Sequence, residues 1–207
     1  LYRHRGQPRF TSEETRVALL LGAWTGMAVE NLRLSESLEK LAVTDDLTQG
    51  YNYRFLKTAL RREIKRAGRF GQELALVMID VDNLKAYNDR FGHLRGSFLL
   101  KEIAGLVSEQ VRSFDLLAKY GGDEFTMILP QTDREGAMVV ADRVRAAVAA
   151  HTFPNAGEGG ITISSGVATF PEDADDANGL IQASDRALYI AKQRGRNRVE
   201  SLWTQTV

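Results

Sequence analysis

Apolar positions near the start of the chain recur every three to four residues. Val17, Trp24, Asn31 and Leu38 fall at one seam position, and Leu20, Met27, Leu34 and Leu41 fall at the other. This is the heptad pattern of a two-stranded coiled coil. The spacing predicts one long helix over 11–43. Thr11 or Ser12 is placed to cap it, and Glu13 and Glu14 lie in the first turn, where the helix dipole favours acids. A lone Asn in such a seam fixes register and a paired state; the other reading is a helix packed on an upstream domain.

Asp45-Asp46-Leu47-Thr48-Gln49-Gly50 breaks the helix and opens a globular part. A helix is expected at about 52–69. Leu74-Ala75-Leu76-Val77-Met78-Ile79 is a continuous apolar run, which reads as a strand covered on both faces. Helices follow at about 83–90 and 94–111. Leu116–Tyr120 and Phe125–Leu129 form a hairpin around Gly121-Gly122-Asp123-Glu124. A helix at 134–150, a strand at 161–170, a helix at 176–194 and a short strand at 198–202 complete the order. This predicts an α+β fold: a mostly antiparallel, ferredoxin-like sheet flanked by helices. The division is residues 1–43 and a globular domain over 44–207.

Charge changes the picture mainly by exclusion. Lys plus Arg and Asp plus Glu each number 27, so bulk charge recruits neither nucleic acid nor an anionic membrane. There is no cysteine, which removes disulfides and thiolate metal sites and fits a reducing, cytoplasmic setting. No apolar run approaches the roughly 20 residues of a membrane helix. The chain begins at Leu1 and is expected to be a piece of a longer one. No phosphate loop of Walker type and no HExxH zinc motif is present.

The chemistry concentrates in acids. The apolar strand ends in Asp80-Val81-Asp82, and the hairpin turn carries Asp123 and Glu124. A hairpin beside that strand brings four carboxylates together, a conflict that a hard divalent cation relieves. Asp82 has a second reading, as the cap of the next helix. Gly121 and Gly122 either supply turn dihedrals or clear space for a nucleotide. Lys192 and Arg196, four apart, are expected to share the last face of their helix and either bind phosphate or complement the helix end. Lys85, Asn88 and Asp89 follow the strand; Asn88 suits a base edge or a cap. His93 reads as structural.

Tyr120-Gly121-Gly122-Asp123-Glu124-Phe125 resembles the signature of the GGDEF family of bacterial cyclic dinucleotide synthases. The resemblance extends through Asp46-Leu47-Thr48, the segment Asp80 to Asp89, Gly92-His93-Leu94-Arg95-Gly96, Ser164-Ser165-Gly166-Val167 and Asp185 to Asn197, covering about 44–202. It implies that Asp80, the Val81 carbonyl, Asp123 and Glu124 hold magnesium, two ions per site, with manganese as a substitute. Asp123 would act as general base for a 3′-hydroxyl and Lys85 would stabilise the transition state. Lys192 and Arg196 would grip the β- and γ-phosphates, and Asn88 and residue 97 would read the base. The family's activity would require a homodimer. Arg112-Ser113-Phe114-Asp115 resembles its RxxD inhibitory site, where Arg112 and Asp115 bind the cyclic dinucleotide product; the other reading is a helix-end Arg near a turn Asp. Residues 1–43, notably Phe10 to Glu14 and Ala28 to Leu34, resemble the tail of a GAF sensor with its signalling helix.

There are two departures from the pattern. Gln49-Gly50-Tyr51-Asn52-Tyr53-Arg54 replaces the usual continuation of the opening motif. Ser97 stands where the family usually has Asp. That Asp pairs with N1–H and the exocyclic amine of guanine, and adenine would leave it unpaired. A hydroxyl donates or accepts, so it faces N1 of either purine. The expectation is therefore a cyclase using both GTP and ATP, resembling the hybrid promiscuous subgroup, and making 3′,3′-cyclic GMP-AMP alongside cyclic di-GMP. Three alternatives remain: an ordinary diguanylate cyclase, a degenerate nucleotide-binding signalling domain, and a purely structural dimer module, which leaves the acids unexplained.

Overall fold

The computed structural model describes residues 11–158 and 160–202, and the side chains of all of these except 35–42, 157 and 158. The chain divides into two compact units, 1–42 and 43–207.

In the first unit, α1 (Ser12–Val43) opens on a reciprocal cap. The Glu14 N–H donates to Thr11 Oγ1 at 3.1 Å, and the Thr11 N–H donates to Glu14 Oε2 at 2.8 Å. Two orphan donors of the first turn are thereby satisfied. The seam residues Val17, Leu20, Trp24, Met27 and Leu34 are all at least half exposed on the single chain. The seam residues Leu38 and Leu41 lie outside the described side chains, as Phe10 lies outside the described residues.

The second unit begins with α2 (Tyr53–Phe70), capped by Asn52, and β1 (Leu74–Val81). Next come α3 (Leu84–Phe91), α4 (His93–Gln110), β2 (Leu116–Lys119), β3 (Glu124–Pro130) and α5 (Arg134–Ala150). A two-residue pair, β4 (Thr152–Phe153) and β5 (Gly157–Glu158), precedes β6 (Ile163–Phe170), α6 (Ala177–Gln193) and β7 (Val199–Ser201). The main sheet has the order β2-β3-β1-β6-β7. Every pairing is antiparallel except β6 with β7. The fold is thus α+β, as expected; the β4–β5 pair was not.

β1 is apolar from Leu74 to Ile79 because both faces of the sheet are covered. Ala75, Val77, Ile79 and Val81 face a core built with α4 and α5, including Leu99, Ile103, Val144 and Val148. Leu74 and Leu76 face a second core with α2 and α6, including Leu60, Leu180 and Ala183. Alternation along the strand gives Asp80 the parity of Leu74 and Leu76, on the α6 side. α6 comes very close to β6: a Cβ on Gly166 would lie 2.1 Å from the Ser184 carbonyl oxygen, so only glycine fits there.

Residues 43–52 are more ordered than a linker. The Tyr51 N–H donates to the Leu117 carbonyl at 2.9 Å, and the Lys119 N–H donates to the Tyr51 carbonyl at 2.8 Å. The segment therefore adds itself to the free edge of β2, which covers an otherwise exposed ladder.

Candidate active site

Strand register assembles the acids. β1 lies between β3 and β6, with Asp80 opposite Glu124 on one side and Ser164 on the other. The Val81 N–H donates to the Asp123 carbonyl at 3.3 Å. Asp80, Val81, Asp123 and Glu124 thus meet at one end of the sheet. Burial pushes the Asp80 carboxyl up to about 6; Lys192 opposes the shift, and Asp123 and Glu124 add to it. Burial also raises Glu124, with Asp123 and Asp185 contributing. Lys192 Nζ is 2.8 Å from Asp80 Oδ2.

This donor set suits a hard cation: it is all oxygen, and its carboxylates repel one another when bare. Among the described residues no three acids or histidines converge into a ready-made cage. Magnesium rarely uses one; it takes one or two carboxylates and completes its shell with water and substrate phosphates. The residues present fit that habit.

Asp82 does not join the acids and caps no helix. Asn83 occupies the cap position of α3, in a left-handed conformation and without a side-chain cap bond. Asp82 is buried and accepts from Thr162 Oγ1 at 2.7 Å, Ser164 Oγ at 2.7 Å and the Asn197 N–H at 3.0 Å. The reason is position: β1 ends at Val81, and the chain beyond it leans toward β6 and the turn after α6.

Arg196 is placed differently from the expectation too. α6 ends at Gln193, and Gly195 turns the chain at φ 109°. Arg196 lies beyond the helix, exposed and left-handed at φ 62°. It shares no helix face with Lys192.

Next to the acids lies a cleft of about 540 Å³, lined among others by Lys85, Asn88, His93, Gly96, Ser97, Gly122 and Asp123. The residues singled out for base reading are therefore in one cavity with the turn. His93 also lines it. The Ser97 hydroxyl donates to the His93 carbonyl at 3.1 Å, so its lone pairs face outward as acceptors. Asn88 Oδ1 is buried without a hydrogen-bond partner. A Cβ on Gly96 would fall 1.8 Å from that oxygen.

Two positioning features escaped sequence reasoning. Lys119 donates to the carbonyls of Gly121 at 3.0 Å and Gly122 at 2.6 Å, tying down the turn's backbone. Burial lowers its pKa, while Asp45, Asp123 and Glu124 pull the other way. Its place directly before Tyr120-Gly121-Gly122 was the available signal. In the opening motif, Asp45 Oδ1 accepts from the Thr48 N–H at 2.9 Å and its hydroxyl at 2.8 Å. The local turn is intact despite Gln49-Gly50, with Gln49 itself left-handed at φ 60°.

Arg112 and Asp115 sit together at the turn from α4 to β2. The Arg112 N–H donates to Asp115 Oδ2 at 2.8 Å, and the guanidinium lies 5.7 Å from the Phe114 ring centre. Asp115 Oδ1 is buried without a partner, and burial raises this carboxyl.

Residues 42–198 match the family profile described as "Diguanylate cyclase, GGDEF domain". The chain is 40% identical over 166 residues to diguanylate cyclase DgcP of Pseudomonas aeruginosa, covering 80% of this chain and 25% of that one. It is 41% identical over 161 residues to diguanylate cyclase DosC of Escherichia coli, covering 77% and 35%. It therefore spans only a quarter to about a third of these relatives. Among solved structures, the coiled coil and GGDEF domain of DgcB from Caulobacter crescentus, in complex with c-di-GMP, superposes with a TM-score of 0.78. The identity is 29%, over 92% of this chain and 99% of that one.

Proposed function

The chain belongs to the GGDEF diguanylate cyclase family, and we propose that it condenses two purine nucleoside triphosphates into a cyclic dinucleotide with release of pyrophosphate. The observation that carries this reading is the meeting of Asp80, Asp123 and Glu124 beside a cleft lined by Lys85, Asn88 and Ser97.

Magnesium, held by Asp80, the Val81 carbonyl, Asp123 and Glu124, would polarise the phosphates and stabilise the leaving oxygen. The chain's own groups do the rest. Asp123 accepts the proton of the 3′-hydroxyl as it attacks an α-phosphate. Lys85 lines the cleft and neutralises charge that develops there. Lys192 now satisfies Asp80 and moves to the triphosphate when the nucleotide arrives; Arg196 supports the same phosphates. Gly121 and Gly122 leave the backbone bare for that approach, and Lys119 fixes its course.

Each site holds one nucleotide, yet the product contains two new phosphodiester bonds. Two sites must therefore face each other in a two-fold dimer. The exposed seam of α1 is a surface that a second copy would cover, with Asn31 setting register.

The base pocket has a neutral hydroxyl at Ser97 where a carboxylate would demand guanine: bonded to the His93 carbonyl it accepts from guanine N1–H, and rotated off that carbonyl it donates to adenine N1. We infer that ATP enters as well as GTP, giving 3′,3′-cyclic GMP-AMP alongside cyclic di-GMP. Product bound at Arg112 and Asp115 would inhibit.

Asp80→Asn and Asp123→Asn test the core of this reading. Each removes a charge the metal needs, and pyrophosphate release with magnesium and GTP should fall by about two orders of magnitude or more in a folded protein. Near-normal release in either variant contradicts the assignment.

A further inference from the structure

We propose that Asp82 is the positioning residue for Arg196, setting the turn from which that guanidinium reaches the outer phosphates of the nucleotide. The inference rests on the phosphate role proposed above for Arg196.

The turn after α6 is backbone-strained. Gly195, Arg196 and Asn197 have φ of 109°, 62° and 46° in succession. Two of these are side-chain-bearing residues in the left-handed region, where the Cβ crowds the following carbonyl. Such a conformation persists only when its surroundings over-determine it. Several hydrogen bonds do so, among them the following. The Arg196 N–H donates to the Ala191 carbonyl at 3.0 Å. Asn197 Oδ1 accepts from Arg145 Nη1 at 3.1 Å. The Asn197 N–H donates to Asp82 Oδ2 at 3.0 Å.

Of these, the Asp82 contact ties the turn to the residue that directly follows the strand carrying Asp80. Asp82 is 2% exposed. Thr162 and Ser164 fix the orientation of its carboxyl from below, so the side chain acts as a rigid bracket. Oδ2 accepts from both Thr162 and the Asn197 N–H while Oδ1 accepts from Ser164, so the Asn197 bond is lost when the whole carboxyl is removed; an amide would keep it. Helix propensity and core packing require neither a carboxylate at this position nor a left-handed Arg at 196. The bracket instead fixes the distance between the acids and the guanidinium, a relation that attack at the α-phosphate with departure of pyrophosphate needs.

The test is Asp82→Ala, with Thr162→Val as a control that removes one neighbour of the carboxyl and spares the Asn197 bond. Hydrogen exchange of the 194–199 segment should speed up in Asp82→Ala, with β1 and β3 exchanging as in the parent, and stay as in the parent in Thr162→Val. The KM for GTP should rise about tenfold in Asp82→Ala, while competitive inhibition by guanosine, which lacks phosphates, stays unchanged. In an Arg196→Ala background Asp82→Ala should add nothing further to KM. If the two changes multiply, or guanosine weakens in step with GTP, or the turn exchanges as before, the positioning claim is wrong. If Arg196→Ala itself leaves the KM for GTP unchanged, the phosphate role of Arg196 has failed instead.

Discussion

Gly96→Ala adds one methyl group to the wall of the cleft. The new Cβ would lie 1.8 Å from Asn88 Oδ1, 2.9 Å from its Cγ and 3.3 Å from its Nδ2. Carbon and oxygen do not approach closer than about 3.2 Å without strain, so the Asn88 amide must swing away by more than an ångström. Losing one hydrogen bond to the base costs about 1 kcal/mol, which should raise the KM for both GTP and ATP about fivefold, with kcat little changed, because the amide binds ground and transition states alike. Leaving its rotamer costs the free and the bound protein alike about 0.5–1.5 kcal/mol; Ala in place of Gly inside α4 favours the helix by about 0.5–1 kcal/mol, so the two roughly offset and stability should change little. The assay is a double-mutant cycle of steady-state kinetics and thermal unfolding with Asn88→Ala. In that background the methyl meets no amide, so Gly96→Ala should leave KM as in Asn88→Ala alone and raise Tm. Additive effects on KM would refute the reasoning, because they would mean that the methyl acts on something other than Asn88.

Three further outcomes are expected. The folded chain holds Asp80 at about 6 rather than 3.8, so between those values it binds more protons than the unfolded chain. In EDTA its stability should therefore fall as pH rises from 4 to 6, and Asp80→Asn should flatten that slope and raise Tm above pH 6; an unchanged slope contradicts the burial argument. Leu34→Lys places a charge in the α1 seam and should make activity depend more steeply on protein concentration, read as initial rate over a dilution series; an unchanged dependence counts against pairing through α1. Arg112→Ala should relieve inhibition by added cyclic dinucleotide about tenfold or more; equal inhibition in parent and variant contradicts the product-site reading.

The sequence revealed the parts of the fold whose pattern is dictated by burial. β1 is apolar at every position from Leu74 to Ile79 because helices cover both faces, and that run announced the central strand. The glycine turn between two apolar runs announced the β2–β3 hairpin. The β4–β5 pair stayed hidden because two residues a side carry no periodicity. Long-range register was the harder layer. Asp80 could be placed from the end of its strand, but Asp82 could not, since its partners Thr162, Ser164 and Asn197 lie 80 or more residues away. Arg196 was misplaced because the count of four from Lys192 assumed a helix that Gly195 ends. Lys119 was overlooked because a cation one residue before a turn is ordinary; only the structure shows it gripping two carbonyls.

The most direct measurement is product identification by mass spectrometry. The full chain is incubated with magnesium and equal GTP and ATP, and Ser97→Asp is run in parallel. The account predicts cyclic GMP-AMP in substantial amount beside cyclic di-GMP from the parent chain, and cyclic di-GMP as the dominant product of Ser97→Asp. Cyclic di-GMP alone from the parent, even with ATP in excess, would contradict the reading of Ser97, and no cyclic dinucleotide at all would contradict the reading of the site.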